Sequence, residues 1–256
     1  MNILLKNFDS HISSFPYRTK EMMVIKKSNL TLVDSGLDCD TFNIIHIING
    51  HHISDHEIET AVNHFEDKNL KYTLWIAKNQ LNDKVKSILA TLGMHGTDST
   101  PGMKLNLSDY KPASESSASE IRIVSTAEEL NSYARILADL WKPSDENIIT
   151  YYSLVSRIIL ENILPIQYAL YFKDGIPIGG IEMCVTKDTL GIYGLVTIDS
   201  HRNAGIGIAL MHYALAYGKT KNLDTAVLQS SEAGNSLYKK LGFKIMTEYF
   251  EYKRRV

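Results

Sequence analysis

The sequence predicts a mixed α/β (α+β) protein built in two parts. In both halves of the chain, short apolar runs typical of strands alternate with longer segments whose apolar residues have helical spacing. Between the halves, residues 109–120 (DYKPASESSASE) contain no large apolar residue after Tyr110, which is typical of an exposed linker. We therefore predict an N-terminal domain at 1–110, a linker at 111–120 and a C-terminal domain at 121–256.

The first half predicts two strand–helix pairs. In chain order these are a strand at 42–49, a helix at 54–68 capped by Ser54 or Asp55, a strand at 72–77 and a helix at 83–93. The same order recurs from residue 190 to 242, and SILATLGM (87–94) matches SLYKKLGF (236–243). One hypothesis is that the first half is a duplicated copy of the second. The alternative is that glycine commonly follows the last turn of a helix.

The second half predicts a longer series of elements. A short strand at 121–124 precedes a capping box at Ser125–Glu128 and a helix, which ends before Pro143. Ser144 can start a second helix that runs through Leu160. Asp174-Gly175 then joins two strands as a hairpin. The remaining elements are a strand at 190–198, a helix from the glycines to Gly218, a strand at 225–229, a short helix at 234–242 and a final strand or hairpin at 243–253.

Composition and charge exclude several classes of function. The chain of 256 residues is 44% hydrophobic and 22% charged with a formal net charge of -2, so no general field favours nucleic acid. The basic run at 253–255 is best explained as a solvated tail. Cys39 and Cys184 are far apart, which is typical of a reducing compartment. No apolar run is long enough for a signal peptide or a membrane span, so we expect a cytoplasmic protein that binds no membrane.

Two glycines stand between a predicted strand and a long apolar helix. The pattern is Arg202-x-x-Gly205-Ile206-Gly207. The first amides of a helix lack internal partners and carry part of the helix dipole, and glycine lets a bulky anion approach them. The pattern therefore predicts a pyrophosphate cradle, with a tight turn as the alternative. It does not fit the Rossmann fingerprint, and the P-loop sequence is absent.

Residues 191–244 resemble the acetyl-CoA-binding core of the GNAT acetyltransferase superfamily. Its RxxGxG loop matches residues 202–207, and its Leu-Tyr-x-x-Leu-Gly-Phe motif matches residues 237–243. The two motifs follow in the expected order about 35 residues apart, which is more specific than either alone. The first half resembles the N-terminal segment of two-part members through LWIA, LATLG and PGM. The resemblance implies a mixed, mostly antiparallel sheet flanked by helices, preceded by a smaller, degenerate GNAT-like α/β domain.

The resemblance also implies a set of cofactor-binding residues for acetyl-CoA, without a metal. Backbone groups of Val196 and Ile198 would pair with the pantetheine arm, and amides from Asn203 to Ile208 would hold the pyrophosphate. Ala204 replaces a residue that is often basic in the family, and Ser231 replaces one that is often Asn. The full implied set is Leu195, Val196, Thr197, Ile198, Arg202, Asn203, Ala204, Gly205, Ile206, Gly207, Ile208 and Ser231.

Tyr238 and Glu182 are the candidate catalytic residues. Tyr238 would act as general acid, because a phenol of pKa ~10 can protonate a departing thiolate of pKa ~8.5; the alternative is a structural ring. Glu182 lies within the apolar strand segment GGIEMCV and is the candidate base, directly or through water. Its alternative is a place on the solvent face, since side chains alternate along a strand. Tyr193 and Asp199 are weaker candidates for the base.

The first half lacks these features. It has no RxxGxG pattern, and Leu89 stands where the second half has Tyr238, so we expect the first half to form a wall of the substrate cleft. His51, His52 and His56 include an i, i+4 pair suited to a metal, but they lack a clear third ligand from another element. A solvated helix start is the preferred interpretation.

These observations predict an N-acetyltransferase that moves an acetyl group from acetyl-CoA to an amine by direct attack in a ternary complex. Cys184 has no adjacent His, so nothing supports a covalent intermediate. The alternatives are an inactive CoA-binding or interaction module, and a transferase for a longer acyl group. The acceptor, a small molecule or a peptide, is not identified by any motif, and the oligomeric state is open, a homodimer included.

Overall fold

The computed structural model describes residues 3–112 and 120–254. Most of the predicted linker, residues 113–119, lies outside the described residues. The described part of the chain forms two compact units. Residues 3–103, 229–233 and 245–254 belong to the first, and residues 104–112, 120–228 and 234–244 belong to the second. Within the described residues, no helix is both long and apolar enough to cross a membrane.

The first unit is a sheet covered by helices. Its elements are α1 (Ile3–Ser14), β1 (Met23–Lys26), β2 (Leu30–Asp34), β3 (Ile44–Ile47), α2 (Asp55–Glu66), β4 (Thr73–Ala77), α3 (Asp83–Thr91) and most of β5 (Met94–Asn106) and β11 (Lys244–Arg254). The strand order is β1-β2-β3-β4-β11-β5. The β3–β4 pair is parallel, whereas β1–β2, β2–β3 and β4–β11 are antiparallel. Ser54, rather than Asp55, caps α2.

The second unit contains the predicted site. Its elements are β6 (Ile121–Ile123), α4 (Ala127–Ala138), α5 (Glu146–Leu160), β7 (Ile166–Lys173), β8 (Ile176–Thr186), β9 (Thr189–Thr197), α6 (Ile206–Thr220), β10 (Thr225–Gln229) and α7 (Asn235–Lys240). The strand order is β10-β9-β8-β7-β6, antiparallel except for the parallel β9–β10 pair. The predicted fold class, a mixed and mostly antiparallel sheet flanked by helices, is confirmed.

Both faces of the central strands β8 and β9 are covered by helices. A side chain at Gly179 of β8 would point at Ile206 and Leu210 of α6, and one at the next residue, Gly180, would point at Tyr133 of α4. Because successive residues of a strand point to opposite faces, α6 and α4 lie on opposite sides of the sheet. This arrangement buries residues on both faces and places the start of α6 beside the end of β9.

Two helix starts differ from the prediction by one residue. The N-cap of α4 is Thr126, whose hydroxyl accepts the N–H of Glu129 at 3.2 Å, so the capping pair lies one residue after the predicted Ser125–Glu128 box. The N-cap of α5 is Asp145, whose carboxylate accepts the N–H of Asn147, rather than Ser144. In both places two adjacent residues have cap-forming side chains, so local sequence does not choose between them.

Candidate active site

The glycine motif forms the start of α6. After β9 the chain makes a short 3-10 turn at Asp199–His201. Asn203 and Gly205 then adopt the left-handed conformation, with φ of 62° and 85°. Gly205 is the N-cap and no side chain caps the helix; its carbonyl accepts the first helical hydrogen bond, from the N–H of Ala209 at 3.0 Å. The amides of residues 206–208 precede that bond, and helix geometry gives them the character of an anion-binding terminus.

The two glycines of the motif have different structural reasons. Gly205 is needed by the backbone, because its positive φ is strained for other residues. Gly207 has no such need: a Cβ there would meet Leu237 Cδ2 at 3.7 Å, an ordinary van der Waals distance. Backbone conformation therefore explains the first glycine, whereas internal packing does not explain the second. A ligand that approaches the first turn of α6 would explain it.

The helix that follows β3 in the first unit provides a contrast. At the start of α2, the Ser54 hydroxyl accepts the N–H of Glu57, and the Glu57 carboxylate accepts the N–H of Ser54. This capping box satisfies donors that α6 leaves to solvent or a ligand. The two helix starts thus differ in a way that favours anion binding in the second unit.

The charged residues beside the glycine motif are paired. Arg202 Nη2 lies 2.8 Å from Asp199 Oδ1, and Lys142 Nζ from the loop after α4 lies 3.6 Å from Asp199 Oδ2. All three side chains are more than half exposed. Ala204, also exposed, adds no charge. Two exposed cations, Arg202 of the glycine motif and Lys142 of the loop after α4, therefore share the carboxylate of Asp199.

Strand β9 extends beyond its ladder with β10. The parallel register runs from the Thr225–Thr189 pair to the Leu228–Ile192 pair, whereas β9 continues to Thr197. The N–H of Ile198 donates to the carbonyl of Ile178 on β8 at 3.0 Å, so this N–H faces β8. Because backbone groups alternate in direction along a strand, the N–H and C=O of Thr197 face away from β8. Thr197 is therefore better placed than its two neighbours to pair with the pantetheine arm, and the predicted pairing of the arm with Val196 and Ile198 stays a prediction.

A bulge interrupts the pairing of β9 with β8 at the same place. Gly180 pairs with Val196 and Glu182 pairs with Tyr193, so three steps along β9 match two along β8. Gly194 within the bulge has a φ of 51°. Bulges bend a strand and re-aim its groups, and they are enriched beside active sites. Here the bulge lies at the point where β9 extends beyond β10.

Tyr238 lies on the short helix α7 with its ring buried, at 7% exposure. Its ring meets Phe243 edge-on at 6.1 Å, and a Cβ at Gly234 would lie 2.6 Å from ring atom Cε2. Burial raises the pKa of the Tyr238 phenol to about 12. The hydroxyl therefore stays protonated over the whole physiological pH range and can act only as a proton or hydrogen-bond donor.

Glu182 lies in the interior, at 4% exposure, so the alternative of a solvent-facing side chain is wrong. The Tyr168 hydroxyl donates to Glu182 Oε1 at 3.0 Å. Burial above all, together with the nearby Glu182 carboxylate, raises the pKa of four phenols around it. These phenols therefore remain hydrogen-bond donors. They are Tyr133, Tyr151, Tyr152 and Tyr168. We call these four the tyrosine cluster; it surrounds a carboxylate on the strand next to the bulge.

Cys184 is buried at 1% exposure, and burial raises the pKa of its thiol. A neutral, enclosed thiol is a poor nucleophile, which agrees with the expectation that it does not form an acyl intermediate. Cys39 is likewise a buried thiol.

The remaining candidates are Ser231, Tyr193 and the histidines at the start of α2. Ser231 is exposed in the segment after β10 and belongs to the first compact unit. Tyr193 is half-buried and lies opposite Glu182 in the β8–β9 register. His51 is bound through Nε2 to the carbonyl of Asn79, at 2.9 Å. Over residues 3–112 and 120–254, no cluster of three or more potential ligands suits a metal ion.

Sequence reasoning missed the role of Tyr133. This residue lies within the helix that the sequence predicts before Pro143, and the structure brings its hydroxyl to the bulge, where it donates to the carbonyl of Gly194 at 3.1 Å. The contact joins residues 61 positions apart. The available signal was the pair of glycines, Gly180 and Gly194, at mid-strand positions where glycine is unfavourable unless something approaches closely.

Comparison with known proteins agrees with this geometry. The acetyltransferase (GNAT) domain model matches residues 166–245. None of the curated proteins matches the sequence significantly. Among solved structures, a GCN5-related N-acetyltransferase from Kribbella flavida superposes with a TM-score of 0.73 at 16% identity, covering 100% of this chain and 97% of that one.

Two further structures have the same fold. A GCN5-related N-acetyltransferase from Sphaerobacter thermophilus gives a TM-score of 0.61 at 12% identity, over 88% of this chain and 80% of that one. A tandem GNAT protein from the clavulanic acid biosynthesis pathway gives 0.59 at 12% identity, over 94% and 86%. The chain thus shares its fold with these GNAT structures, one of them a tandem GNAT protein, as the sequence resemblance implied. Its GNAT acetyltransferase domain occupies residues 166–245, and this domain supports acyl transfer as the general type of activity.

Proposed function

We propose that the protein transfers an acetyl group from acetyl-CoA to an amine by direct attack in a ternary complex. The observation that carries the proposal is the start of α6, where Gly205 caps the helix without a side chain and Gly207 has no packing reason to be glycine. An incoming pyrophosphate would receive hydrogen bonds from the amides of residues 203–208, and Arg202 would supply positive charge.

The edge of β9 would hold the pantetheine arm. Leu195 and Thr197 would contribute their outward-facing backbone groups, and Val196 and Ile198 would support them from the side that pairs with β8. Ser231 is proposed as a further contact with the cofactor, by resemblance alone. No metal is required by this chemistry, since the thioester is already activated.

In the reaction, the amine nitrogen would form a bond to the thioester carbon as the carbon–sulfur bond breaks. Before the attack, the acceptor ammonium would pass one proton through water to Glu182, a buried carboxylate that Tyr168 holds in place. The neutral amine would then attack, and a second N–H proton would leave to solvent as the amide forms. The departing sulfur would take a proton from Tyr238, which solvent would then replace. The products are an amide and CoA thiol.

Glu182→Gln tests the assigned base. We expect kcat to fall about tenfold at neutral pH, below the usual range of ~10² to 10⁴ for a directly placed base, because solvent can also accept the proton. The loss should shrink as pH approaches the pKa of the acceptor amine, ~10.4 for a lysine-like group, since the amine then needs no base. A loss that is independent of pH would assign Glu182 a purely structural role.

The experiment that tests the function is calorimetric titration of acetyl-CoA into the full chain, followed by measurement of CoA release with a panel of amines. We expect one site per chain and turnover with at least one amine. Absence of binding would overturn the proposal. Binding without turnover over a broad panel would favour the alternative of an inactive CoA-binding module, and preference for a longer acyl-CoA would change only the transferred group.

The domain bounds 1–110, 111–120 and 121–256 remain a prediction. We also propose that the first unit binds no CoA, since its helix α2 is closed by the Ser54–Glu57 capping box. A cytoplasmic location is proposed because both cysteines are present as thiols rather than joined in a disulfide. The acceptor is proposed to be a small-molecule or peptide amine, without nucleic acid or membrane as partner.

A further inference from the structure

We propose that Tyr133 is a positioning residue that fixes the bulge of β9, and through it the strand edge that receives the acyl-pantetheine arm. The inference rests on the proposed function, since it assigns that edge to acetyl-CoA. It adds a residue from outside the matched GNAT domain, on helix α4.

The first argument is the volume that the sheet leaves for this side chain. Tyr133 is fully buried, at 0% exposure. A Cβ at Gly180 of β8 would lie 2.5 Å from its ring atom Cδ2, and a Cβ at Gly194 of β9 would lie 1.9 Å from its hydroxyl oxygen. A side chain at either position would force the Tyr133 ring to move. Two glycines on neighbouring strands therefore form the space that one tyrosine occupies.

The second argument is the hydrogen bond at the bulge. The Tyr133 hydroxyl donates to the carbonyl of Gly194 at 3.1 Å. A bulged residue drops out of the regular ladder, so its carbonyl needs another donor when it is buried. Tyr133 supplies that donor to a residue whose φ of 51° already departs from strand geometry. The hydroxyl thus stabilises the bulge against a return to regular pairing.

The third argument concerns what the bulge controls. Backbone groups alternate along a strand, so a shift of one residue exchanges those that face β8 for those that face away. The extra residue at 194–195 sets this alternation for the end of β9, where Thr197 faces away from β8 and Ile198 faces it. If the bulge relaxed, the groups offered to the pantetheine arm would change or lose their direction.

The tyrosine cluster also connects the bulge with the candidate base. Tyr152 hydrogen-bonds to the Tyr133 hydroxyl, and the two rings meet edge-on at 5.4 Å. Tyr168, which donates to Glu182, lies 5.1 Å from the Tyr133 ring. The residue that fixes the bulge is therefore packed against the residue that holds the carboxylate. Its hydroxyl, not its ring, is the part directed at β9.

The test is Tyr133→Phe, measured by titration of the full chain with two ligands. Acetyl-CoA engages both the strand edge and the glycine loop, whereas 3′,5′-ADP lacks the pantetheine arm and engages the loop alone. We expect acetyl-CoA affinity to fall about five- to tenfold, the scale of one hydrogen bond, and 3′,5′-ADP affinity to stay within about twofold. A general loss of structure would weaken both ligands together.

Tyr151→Phe is the matched control, because it removes a buried hydroxyl from the same cluster without touching the bulge contact. It should leave the ratio of the two affinities unchanged. If Tyr133→Phe unfolds like the native protein and either leaves acetyl-CoA affinity unchanged or weakens both ligands equally, the inference is overturned and the proposed function stands. If the unaltered protein binds neither ligand, the proposed function falls and the inference with it.

A second variant keeps the inference testable if Tyr133→Phe folds poorly. Gly194→Ala should weaken acetyl-CoA binding in the native background, because its Cβ meets the Tyr133 oxygen. The same change should cost less affinity when combined with Tyr133→Phe, which removes that oxygen. Independent, additive effects of the two substitutions would contradict a direct contact between hydroxyl and bulge.

Discussion

Tyr238→Phe is expected to lower kcat by about a hundredfold and to leave the acetyl-CoA affinity within about twofold. A general acid typically contributes 10² to 10⁴ in rate, and the substitution removes only the hydroxyl. The ring should keep its place, since it is buried against Phe243 and fits the space left by Gly234. The rate should be measured in a single turnover, so that product release does not mask the chemical step.

The pKa of Tyr238 defines what kind of acid it can be. At about 12, the phenol is a weaker acid than an ordinary thiol of pKa ~8.5, so full transfer to a free thiolate would be uphill. A thiol that departs within the same desolvated surroundings has its own pKa raised, which reduces the difference. The hydroxyl would therefore act first as a donor to the charge that develops on sulfur. Accordingly, kcat should show no decline from Tyr238 ionisation below pH ~12.

Tyr217→Phe on α6 is a suitable control for this experiment. It removes a phenol that is only partly buried and whose pKa is also raised by burial, without altering α7. Its single-turnover rate should match that of the native protein. Retention of full rate by Tyr238→Phe would show that water protonates the sulfur and that Tyr238 has a packing role. A parallel loss of acetyl-CoA affinity would instead place the hydroxyl in cofactor binding.

Much of the second unit could be predicted because its signals are local. The Asp174-Gly175 hairpin forms with both residues at positive φ, as its type of turn requires. The long helix α6 also begins at a glycine signal that the sequence displays directly, Gly205, whose φ is positive. In each case a residue's intrinsic backbone preference agrees with the final structure, so no distant contact is needed.

The sequence could not place Glu182, because alternation along a strand is informative only when one face of the sheet is exposed. Ile181, Glu182 and Met183 are all buried, at 0%, 4% and 0% exposure, since α4 and α6 cover opposite faces of β8. The bulge and its Tyr133 contact depend on residues 61 positions apart.

Helix α1 was missed for a different reason. Its buried residues Leu4, Leu5, Phe8 and Ile12 have helical spacing, but the segment was considered only as a signal peptide.

Gly207→Ala is expected to stabilise the protein while it weakens acetyl-CoA binding about a hundredfold. Alanine in a helix is favoured over glycine by about 0.5–1 kcal/mol, and here its Cβ would meet only ordinary contact with Leu237. The same Cβ would stand over the first-turn amides. Loss of two charge-assisted hydrogen bonds, each worth ~1.5 kcal/mol, corresponds to about a hundredfold in affinity. Denaturant unfolding and calorimetry measure the two effects separately.

The affinities for acetyl-CoA and 3′,5′-ADP together distinguish this variant from Tyr133→Phe. Gly207→Ala should weaken acetyl-CoA and 3′,5′-ADP by similar factors, because both place phosphate on the loop, whereas the bulge variant should weaken acetyl-CoA alone. Gly205→Ala should have the opposite effect on stability. Its φ of 85° is strained for alanine, so the free energy of unfolding should fall by about 1 kcal/mol. If Gly207→Ala is stabilised but binds both ligands normally, the glycine loop is a tight turn without a phosphate. The site would then have to be sought elsewhere in the second unit.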